Sequence, residues 1–196
     1  MSSTNRSDAR LKHIADYYVT PVNRIVDFLN EFNKCDDVFR NDVLILDPCA
    51  GGDDDNEMSY PVALKTLNPK LNIDTCDIRE DSRSKIKGDY LKLNCKNKYD
   101  VIITNPPFNI SLDIINKALS DVKEGGYVIM LLRLNYFGGK VRQGLFKKHM
   151  PKYCFVHSKR MSFTQNGKTD SIEYCHMVWK KGECPEFTLL KVLSEI

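Results

Sequence analysis

Short apolar runs alternate with segments of helical periodicity over the first two thirds of the 196-residue chain. The runs are short and rich in Val, Ile and Leu, which is typical of strands buried on both faces. Strands that alternate with helices pair in parallel through right-handed crossovers, so the pattern predicts an α/β fold with a mostly parallel sheet and helices on both faces. The predicted strands cover residues 42–47, 72–78, 99–105 and 125–134, and the predicted helices cover residues 59–68, 80–86 and 111–123.

The pattern changes after residue 135. Residues 140–150 form a basic segment of helical character, and residues 152–160 and 172–181 read as two further strands around a polar loop. Strands that are close in sequence and joined without a helix are more often antiparallel. We therefore expect a mixed sheet with an antiparallel strand at its C-terminal edge.

Length and composition favour a single intracellular domain. With 42% hydrophobic residues, the chain is long enough for one two- or three-layer core. The formal net charge of +3 is mild, so any basic surface has to be local. Seven cysteines without a C-x-x-C pair indicate free thiols in a reducing compartment, and the polar N-terminus resembles neither a signal peptide nor a membrane span.

Polar or flexible residues follow the predicted strands at the edge where open α/β sheets bind ligands. In "LDPCAGGDDD", Gly51 and Gly52 allow the backbone to approach a ligand, while the aspartates after them would repel a pyrophosphate and favour a positively charged ligand. Asp77 follows the second strand, where an acid typically accepts hydrogen bonds from ribose hydroxyls. Asp89 lies in a loop that could bond an adenine amino group. Singly, each acid is more often a solvated or capping residue.

The third strand ends in the tetrapeptide Asn105-Pro106-Pro107-Phe108. Prolines cannot donate to a sheet ladder, so they terminate the strand, and one interpretation is a rigid turn that returns the phenylalanine to the core. A second interpretation is chemical. An amino group needs two rigidly held acceptors, which the Asn105 side-chain oxygen and the Pro106 carbonyl can supply while Phe108 stacks on a planar base.

These segments resemble the S-adenosylmethionine-dependent amino methyltransferases with a (D/N/S)-P-P-(Y/F) motif, and among them the small DNA adenine methyltransferases of bacteria and phages. "DPCAGG" resembles their cofactor loop, "DIRED" and "GDYLKL" their ribose and adenine contacts, "NPPF" their catalytic motif, and "YYVTP" the segment over the methionine end of the cofactor. The resemblance implies a Rossmann-like class I methyltransferase fold with Asn105, Pro106, Pro107 and Phe108 as catalytic residues. The implied cofactor-binding residues are Tyr18, Thr20, Pro21, Asp47, Pro48, Cys49, Ala50, Gly51, Asp77, Ile78, Asp89 and Tyr90.

Two later segments, "LLRLNYF" and "KRMSFTQNGKTD", are similar to the family's strands and loop that face the target base. Taken alone, Arg160 fits a surface ion pair and Phe163 fits a core aromatic, whereas their combined spacing fits target contacts. The implied substrate-binding residues are Phe108, Arg133, Arg160, Ser162, Phe163 and Lys168.

The resemblance also implies an organisation for the single domain over residues 1–196. Residues 1–40 would form a helical segment over the cofactor, residues 41–135 the cofactor-binding and catalytic half, and residues 136–196 the target-facing half, with no separate target-recognition domain. We expect S-adenosylmethionine as cofactor, S-adenosylhomocysteine as product, no metal, double-stranded DNA as partner and no membrane. The implied setting is the cytoplasm of a bacterium, with a phage gene as one source. A homodimer or a separate specificity subunit would supply the missing recognition.

The expected reaction is direct in-line methyl transfer to the exocyclic amino group of a flipped-out adenine. The tetrapeptide identifies an amino or amide nitrogen without identifying the polymer, so RNA bases and protein glutamine are alternative substrates. A non-catalytic nucleic-acid-binding module on the same fold is a further alternative. A Rossmann-type oxidoreductase is disfavoured because its glycine fingerprint is missing.

Overall fold

The structure, a computed structural model, describes residues 18–163, 169 and 171–194. The strands are β1 (Leu44–Asp47), β2 (Asn72–Asp77), β3 (Ile86–Lys87), β4 (Tyr99–Thr104), β5 (Val122–Arg133), β6 (Tyr153–His157), β7 (Tyr174–Lys180) and β8 (Leu189–Leu193). The helices are α1 (Val22–Cys35), α2 (Ser59–Leu67), α3 (Ser111–Asp121) and α4 (Gln143–Lys148).

The strands form one eight-stranded sheet in the order β3-β2-β1-β4-β5-β7-β6-β8. The first five strands of this order pair in parallel, and β6 pairs in parallel with β8. Strand β7 is antiparallel to both of its neighbours, β5 and β6. The predicted fold class, a mostly parallel α/β sheet with an antiparallel strand on its C-terminal side, is confirmed. The antiparallel strand β7 is not the edge strand, because β6 and β8 extend the sheet beyond it.

Helices cover both faces of the sheet, which explains the continuous apolar character of the strands. Ile45 and Val101 pack in the cluster that contains α1 and α2, whereas the adjacent residues Leu46 and Ile102 pack in the cluster that contains α3. Successive side chains of a strand point to opposite faces, so both must be apolar when both faces are covered. Burial of each such side chain contributes about 1.5–3 kcal/mol. Helix α1 presents a matching buried stripe, formed by Ile25, Phe28, Leu29 and Phe32.

The helix predicted over residues 80–86 is absent, and this prediction was wrong. The segment forms turns and then enters β3 at Ile86. The Ser82 hydroxyl donates to the Gly51 carbonyl and accepts from the Ser84 amide, and the Lys85 amide donates to the Thr75 hydroxyl. Such hydrogen bonds between side chains and the backbone compete with helix formation, which is why a serine-rich segment of helical polarity does not form a helix here.

Two C-terminal predictions also need correction. The predicted basic helix over residues 140–150 is a 3₁₀ turn, Lys140–Arg142, followed by the short helix α4. The segment after residue 181, for which the sequence analysis predicts no strand, contains the additional strand β8. A five-residue apolar run is a weak signal in sequence, and Leu189, Leu190 and Val192 remain exposed although they lie in a strand.

All seven cysteines lie in the described residues, and each is a free thiol. Within the described ranges, no helix is long and apolar enough to cross a bilayer. The same residues contain no group of three or more His, Cys, Asp or Glu side chains arranged to hold a metal ion.

Candidate active site

A cleft of about 840 Å³, including its open mouth, lies where β1, β2 and β4 end. Strand order reverses between β1 and β4, because β2 and β3 continue to one side and β5 to the other. Open α/β sheets bind ligands at this switch point. The predicted site residues that line the cleft are Tyr18, Thr20, Pro48, Cys49, Ala50, Asp77, Ile78, Asp89, Tyr90, Asn105, Pro106, Pro107 and Phe108.

Three predicted cofactor residues lie beside the cleft without lining it. Pro21 precedes the first residue of α1 as its N-cap. Asp47 is fully buried at the end of β1, and Gly51 lies in the loop that follows. These three residues therefore shape the cleft through the backbone or through charge.

The glycine loop after β1 depends on left-handed backbone and on Asp77. Gly51 and Gly52 have φ angles of 63° and 73°, and a Cβ at Gly52 would lie 2.7 Å from Met58 Cγ. The Asp77 carboxylate accepts from the Gly51 amide at 2.7 Å and from the Arg79 amide at 2.9 Å. Each carboxylate oxygen can accept a second hydrogen bond, so Asp77 fixes the loop and retains acceptors for a ligand.

The loop that carries Asp89 and Tyr90 supplies one acid and one apolar ring face. The Asp89 carboxylate caps the following turn by accepting from the Leu91 amide at 3.0 Å. The Tyr90 hydroxyl donates to Asp121 at 3.0 Å, so its polar end is already satisfied and its ring is what lines the cleft. Ile78 lines the same cleft and is 57% exposed. Together they offer apolar surface for a planar group.

Asp47 carries an ionisable group in a fully buried position. Burial is the main cause that raises the pKa of Asp47 to about 7, with a smaller contribution from the nearby Asp77 charge, while the Thr104 side chain and the hydrogen bond from the Cys49 amide oppose the shift. Burial also raises the pKa of the Cys49 thiol well above its ordinary value. A positive charge on a ligand in the cleft would favour ionised Asp47.

The raised pKa of Asp47 predicts a pH-dependent stability. Between its ordinary value of 3.8 and about 7, the folded state keeps a proton that the unfolded state has lost, so this stabilisation is present below pH 3.8 and disappears as pH rises through 7. Asp47→Asn removes the titration. We expect the free energy of unfolding of the ligand-free variant, minus that of the wild type, to increase by roughly 4 kcal/mol as pH rises from 3.8 to about 7.

Chemical unfolding of both proteins from pH 4 to pH 8 measures this difference. Taking the difference between the two proteins cancels other groups, such as His157, whose pKa burial lowers to about 4. A constant difference over the whole range would show that Asp47 is ionised throughout.

Asn105 is held by a contact from the start of the described chain. Its amide Nδ2 donates to the Thr20 hydroxyl at 3.0 Å, and Thr20 is 3% exposed. Its Oδ1 is buried and has no hydrogen-bond partner among the described residues. A buried amide oxygen without a partner is costly, so this acceptor is available to a donor that enters the cleft.

The rest of the tetrapeptide is fixed by the first turn of α3. The Pro107 carbonyl accepts from the Ile110 amide at 3.2 Å, and the Phe108 carbonyl accepts from the Ser111 hydroxyl at 2.9 Å. The Pro106 carbonyl receives no hydrogen bond from the part of the chain that the structure describes. Two acceptors, Asn105 Oδ1 and the Pro106 carbonyl, are therefore free on adjacent residues.

An aromatic cluster, formed by Tyr18, Phe108, Phe163 and Tyr174, flanks the tetrapeptide. Phe163 lies 4.9 Å from Tyr174 and 6.0 Å from Tyr18 between ring centroids, and Phe108 lies 5.9 Å from Tyr174. The predicted residue Arg133 joins this cluster because its guanidinium carbon lies 4.7 Å from the Phe108 ring centroid. Arg133 Nε is buried and has no hydrogen-bond partner within the described ranges.

The remaining predicted substrate residues differ in their placement. Arg160 forms an exposed ion pair with Glu173 at 3.5 Å, as expected for Arg160 taken alone. An exposed ion pair of this kind contributes little to stability. Ser162 lies between Met161 and Phe163 and is partly exposed. Lys168 lies outside the described residues.

No protein-family model matches the sequence, and a search of curated proteins finds no match. A Listeria monocytogenes protein provisionally described as a class I S-adenosylmethionine-dependent methyltransferase superposes with a TM-score of 0.66 at 18% identity, over 94% of this chain and 69% of that one. This chain has the class I methyltransferase fold.

Two further structures share this methyltransferase fold. A Pyrococcus horikoshii protein provisionally described as an RNA methyltransferase has a TM-score of 0.63 at 16% identity, over 85% of this chain and 88% of that one. The M protein of the type I restriction enzyme EcoKI has a TM-score of 0.58 at 14% identity. That superposition covers 89% of this chain but only 46% of the M protein.

Some residues lining the cleft of this methyltransferase fold escaped the sequence-based prediction. Tyr60 begins a buried chain in which its hydroxyl lies 3.0 Å from His176 Nε2, and His176 Nδ1 lies 2.8 Å from His157 Nε2. Both histidines are buried and structural, and burial lowers their pKa values. In the sequence, only its position at the start of a predicted helix could have indicated that Tyr60 lies near the cleft. The lining residues not predicted are Ser59, Tyr60, Arg79, Ile110 and Ile114.

Proposed function

We propose that the protein transfers the methyl group of S-adenosylmethionine to the exocyclic amino group of adenine in DNA. The observation that carries this proposal is the buried, unpartnered Oδ1 of Asn105 in a cleft of a methyltransferase fold. The neighbouring Pro106 carbonyl is a second acceptor, and two acceptors match the two N–H bonds of an amino group. One structurally similar protein is the M protein of a type I restriction enzyme, which is consistent with a DNA target.

The residues of the cleft fit S-adenosylmethionine, whose sulfonium and ammonium groups are both positive. The acids around the cleft are Asp47, Asp77 and Asp89, and the one lining cation among the described residues, Arg79, already pairs with Asp81 at 2.6 Å. This negative field favours a cationic ligand over a pyrophosphate. When bound, the cofactor supplies an electrophilic methyl group.

Each part of the cofactor has a candidate partner in the chain. Asp77 would accept from the ribose hydroxyls with the acceptor capacity that its backbone contacts leave free. Asp89 would accept from the adenine amino group, while Ile78 and the Tyr90 ring would pack on the adenine faces. Tyr18, Thr20 and Pro21 would cover the methionine end, near buried Asp47.

The tetrapeptide would act by orientation. Asn105 Oδ1 and the Pro106 carbonyl would accept the two amino hydrogens and hold the nitrogen lone pair out of conjugation with the ring. The aromatic cluster would stack on the flipped base and replace the stacking that the duplex loses, which is about a few kcal/mol. Because these contacts strengthen as the nitrogen becomes positive, they lower the barrier and not only the binding energy.

Thr20 is a positioning residue in this scheme, because its hydroxyl holds the Asn105 amide from 3.0 Å. Thr20→Val keeps the side-chain shape and removes the acceptor. We expect kcat at saturating cofactor to fall roughly tenfold, the value of one neutral hydrogen bond. The double variant Thr20→Val/Asn105→Ala should be no slower than Asn105→Ala alone, as measured in a double-mutant cycle. Additive losses would show that Thr20 acts independently of Asn105.

A label-transfer assay tests the proposed function. Purified protein is incubated with S-adenosylmethionine labelled in its methyl group and with unmethylated duplex DNA, single-stranded DNA, RNA or a protein extract. The proposal requires label in DNA. Label in RNA bases or in protein glutamine would keep the amino-group chemistry and replace the polymer, and cofactor binding without any transfer would favour the non-catalytic module.

A further inference from the structure

The mild net charge of the chain conceals a strong segregation of charge. Residues 125–169 contain nine Lys or Arg residues and no Asp or Glu. The rest of the chain carries a formal charge of −6 against the overall +3. A segment of this length without a single acid points to a polyanionic partner, since clustered cations raise the local concentration of anions.

The first of these basic residues lie beside the mouth of the cleft. Arg133 ends β5 and stacks on Phe108, which lines the cleft. The Tyr136 hydroxyl lies 3.3 Å from Ser111 Oγ, which in turn donates to the Phe108 carbonyl. The Arg142 guanidinium carbon lies 4.4 Å from the Tyr136 ring centroid. The segment after β5 is therefore packed directly against the tetrapeptide.

The charge continues from there along α4. Leu145 is buried in the same core cluster as α3, and Phe146 packs on Phe137 with ring centroids 5.4 Å apart. Both anchors leave Lys147 and Lys148 exposed at the end of α4. We name Arg133, Lys140, Arg142, Lys147 and Lys148 the basic strip.

The lysines of the basic strip lack acidic partners among the described residues, as do the exposed Lys70 and Lys96, but they lie within nine residues of one another. Lys140, Lys147 and Lys148 are exposed and form no ion pair with any described residue. At the opposite edge, Lys98 pairs with Asp74 at 3.3 Å and Lys123 pairs with Asp100 at 2.8 Å. The charge of an exposed lysine that forms no ion pair within the chain is available to interact with an external partner.

Apolar side chains accompany these cations. Val141 is 82% exposed between Lys140 and Arg142, and Phe137 is 37% exposed. Proteins that bind duplex nucleic acid often combine phosphate contacts with apolar side chains that reach sugars or base steps.

We propose that the basic strip binds the phosphate backbone of duplex DNA beside the flipped target base. This inference rests on the proposed function in taking DNA as the polymer that enters the cleft. It gives the chain a DNA-binding surface of its own, next to Phe108. Because phosphate contacts carry no base information, the strip holds and orients the duplex without reading sequence.

The test is DNA binding, measured separately from methyl transfer. Fluorescence anisotropy with a short fluorescein-labelled DNA duplex gives Kd over a range of KCl concentrations. The variant Lys140→Gln/Lys147→Gln/Lys148→Gln removes three cations from exposed positions. We expect its affinity to fall by on the order of 10²-fold and the slope of log K against log salt to become less negative by about 3.

A matched control removes the same charge from other faces. Lys34→Gln/Lys98→Gln/Lys123→Gln changes two exposed lysines and one partly buried lysine, each of which pairs with an acid. We expect its affinity and its salt slope to match the wild type. A second variant, Val141→Glu, places a carboxylate within the basic strip at an exposed position and should also weaken DNA binding, by roughly tenfold.

The outcomes separate this inference from the proposed function. Loss of DNA binding in the first triple variant alone supports the basic strip, even if the wild type transfers no methyl group to any polymer. Equal affinity and slope in the two triple variants would overturn it, even if the wild type methylates DNA. Tighter binding of an RNA duplex than of DNA through the same lysines would overturn the choice of DNA.

Discussion

Asn105→Ala should lower the rate of methyl transfer by on the order of 10²-fold or more at saturating cofactor, while affinity for S-adenosylmethionine changes little. The substitution removes Oδ1, the buried acceptor that no described residue uses. That acceptor would act on the reacting nitrogen, so its loss affects the transition state more than either ground state. Single-turnover kinetics with DNA, together with calorimetric titration of the cofactor, measure the two effects separately.

Asn105→Asp provides the matched comparison. A carboxylate keeps an acceptor toward the target and can still accept from the Thr20 hydroxyl, so a smaller loss than in Asn105→Ala is expected. Thermal unfolding of both variants checks that the fold is retained. Full activity in Asn105→Ala would show that the tetrapeptide is only a strand-ending turn.

Asp77→Ala should have the opposite profile. We expect the Kd for S-adenosylmethionine to rise by on the order of 10²-fold, because hydrogen bonds to a charged group contribute about 1.5–3 kcal/mol each. The rate at saturating cofactor should stay close to that of the wild type, since Asp77 lies at the end of β2 and the tetrapeptide follows β4. Calorimetry gives Kd, and single-turnover kinetics at high cofactor concentration give the rate.

The control for this prediction is Asp53→Ala. Asp53 lies in the same loop and accepts from the amides of Asp55 and Asn56, but it does not line the cleft. A general loosening of the glycine loop should therefore weaken cofactor binding in both variants. An effect confined to Asp77→Ala supports a direct contact with the cofactor, and equal effects would contradict it.

Much of the fold was predictable because its strands are buried on both faces. The apolar runs within β1, β4 and β5 are typical of strands in a parallel sheet covered by helices on both faces. Residues 80–86 were misjudged because serine hydroxyl contacts with distant backbone, such as the one to Gly51, are invisible to periodicity. Strand β8 was missed because its pairing with β6 alone makes it a strand.

Site residues that belong to a short sequence motif were predictable, whereas contacts between residues distant in sequence were not. The glycine loop, Asp77 and the tetrapeptide each follow a strand, so sequence placed them at one edge. The contact between Thr20 and Asn105 joins residues 85 positions apart, and that between Tyr60 and His176 joins residues 116 positions apart. Likewise, the stacking of Arg133 on Phe108 depends on the neighbouring positions of β4 and β5.

The most direct test of the proposed amino-group chemistry is nucleoside analysis by mass spectrometry. Unmethylated duplex DNA is incubated with S-adenosylmethionine and either the wild type or Asn105→Ala, then digested to nucleosides. The proposed mechanism predicts N6-methyladenine with the wild type and almost none with the variant over the same time. Methylation at a carbon atom, as in 5-methylcytosine, or equal N6-methyladenine from both proteins would contradict it.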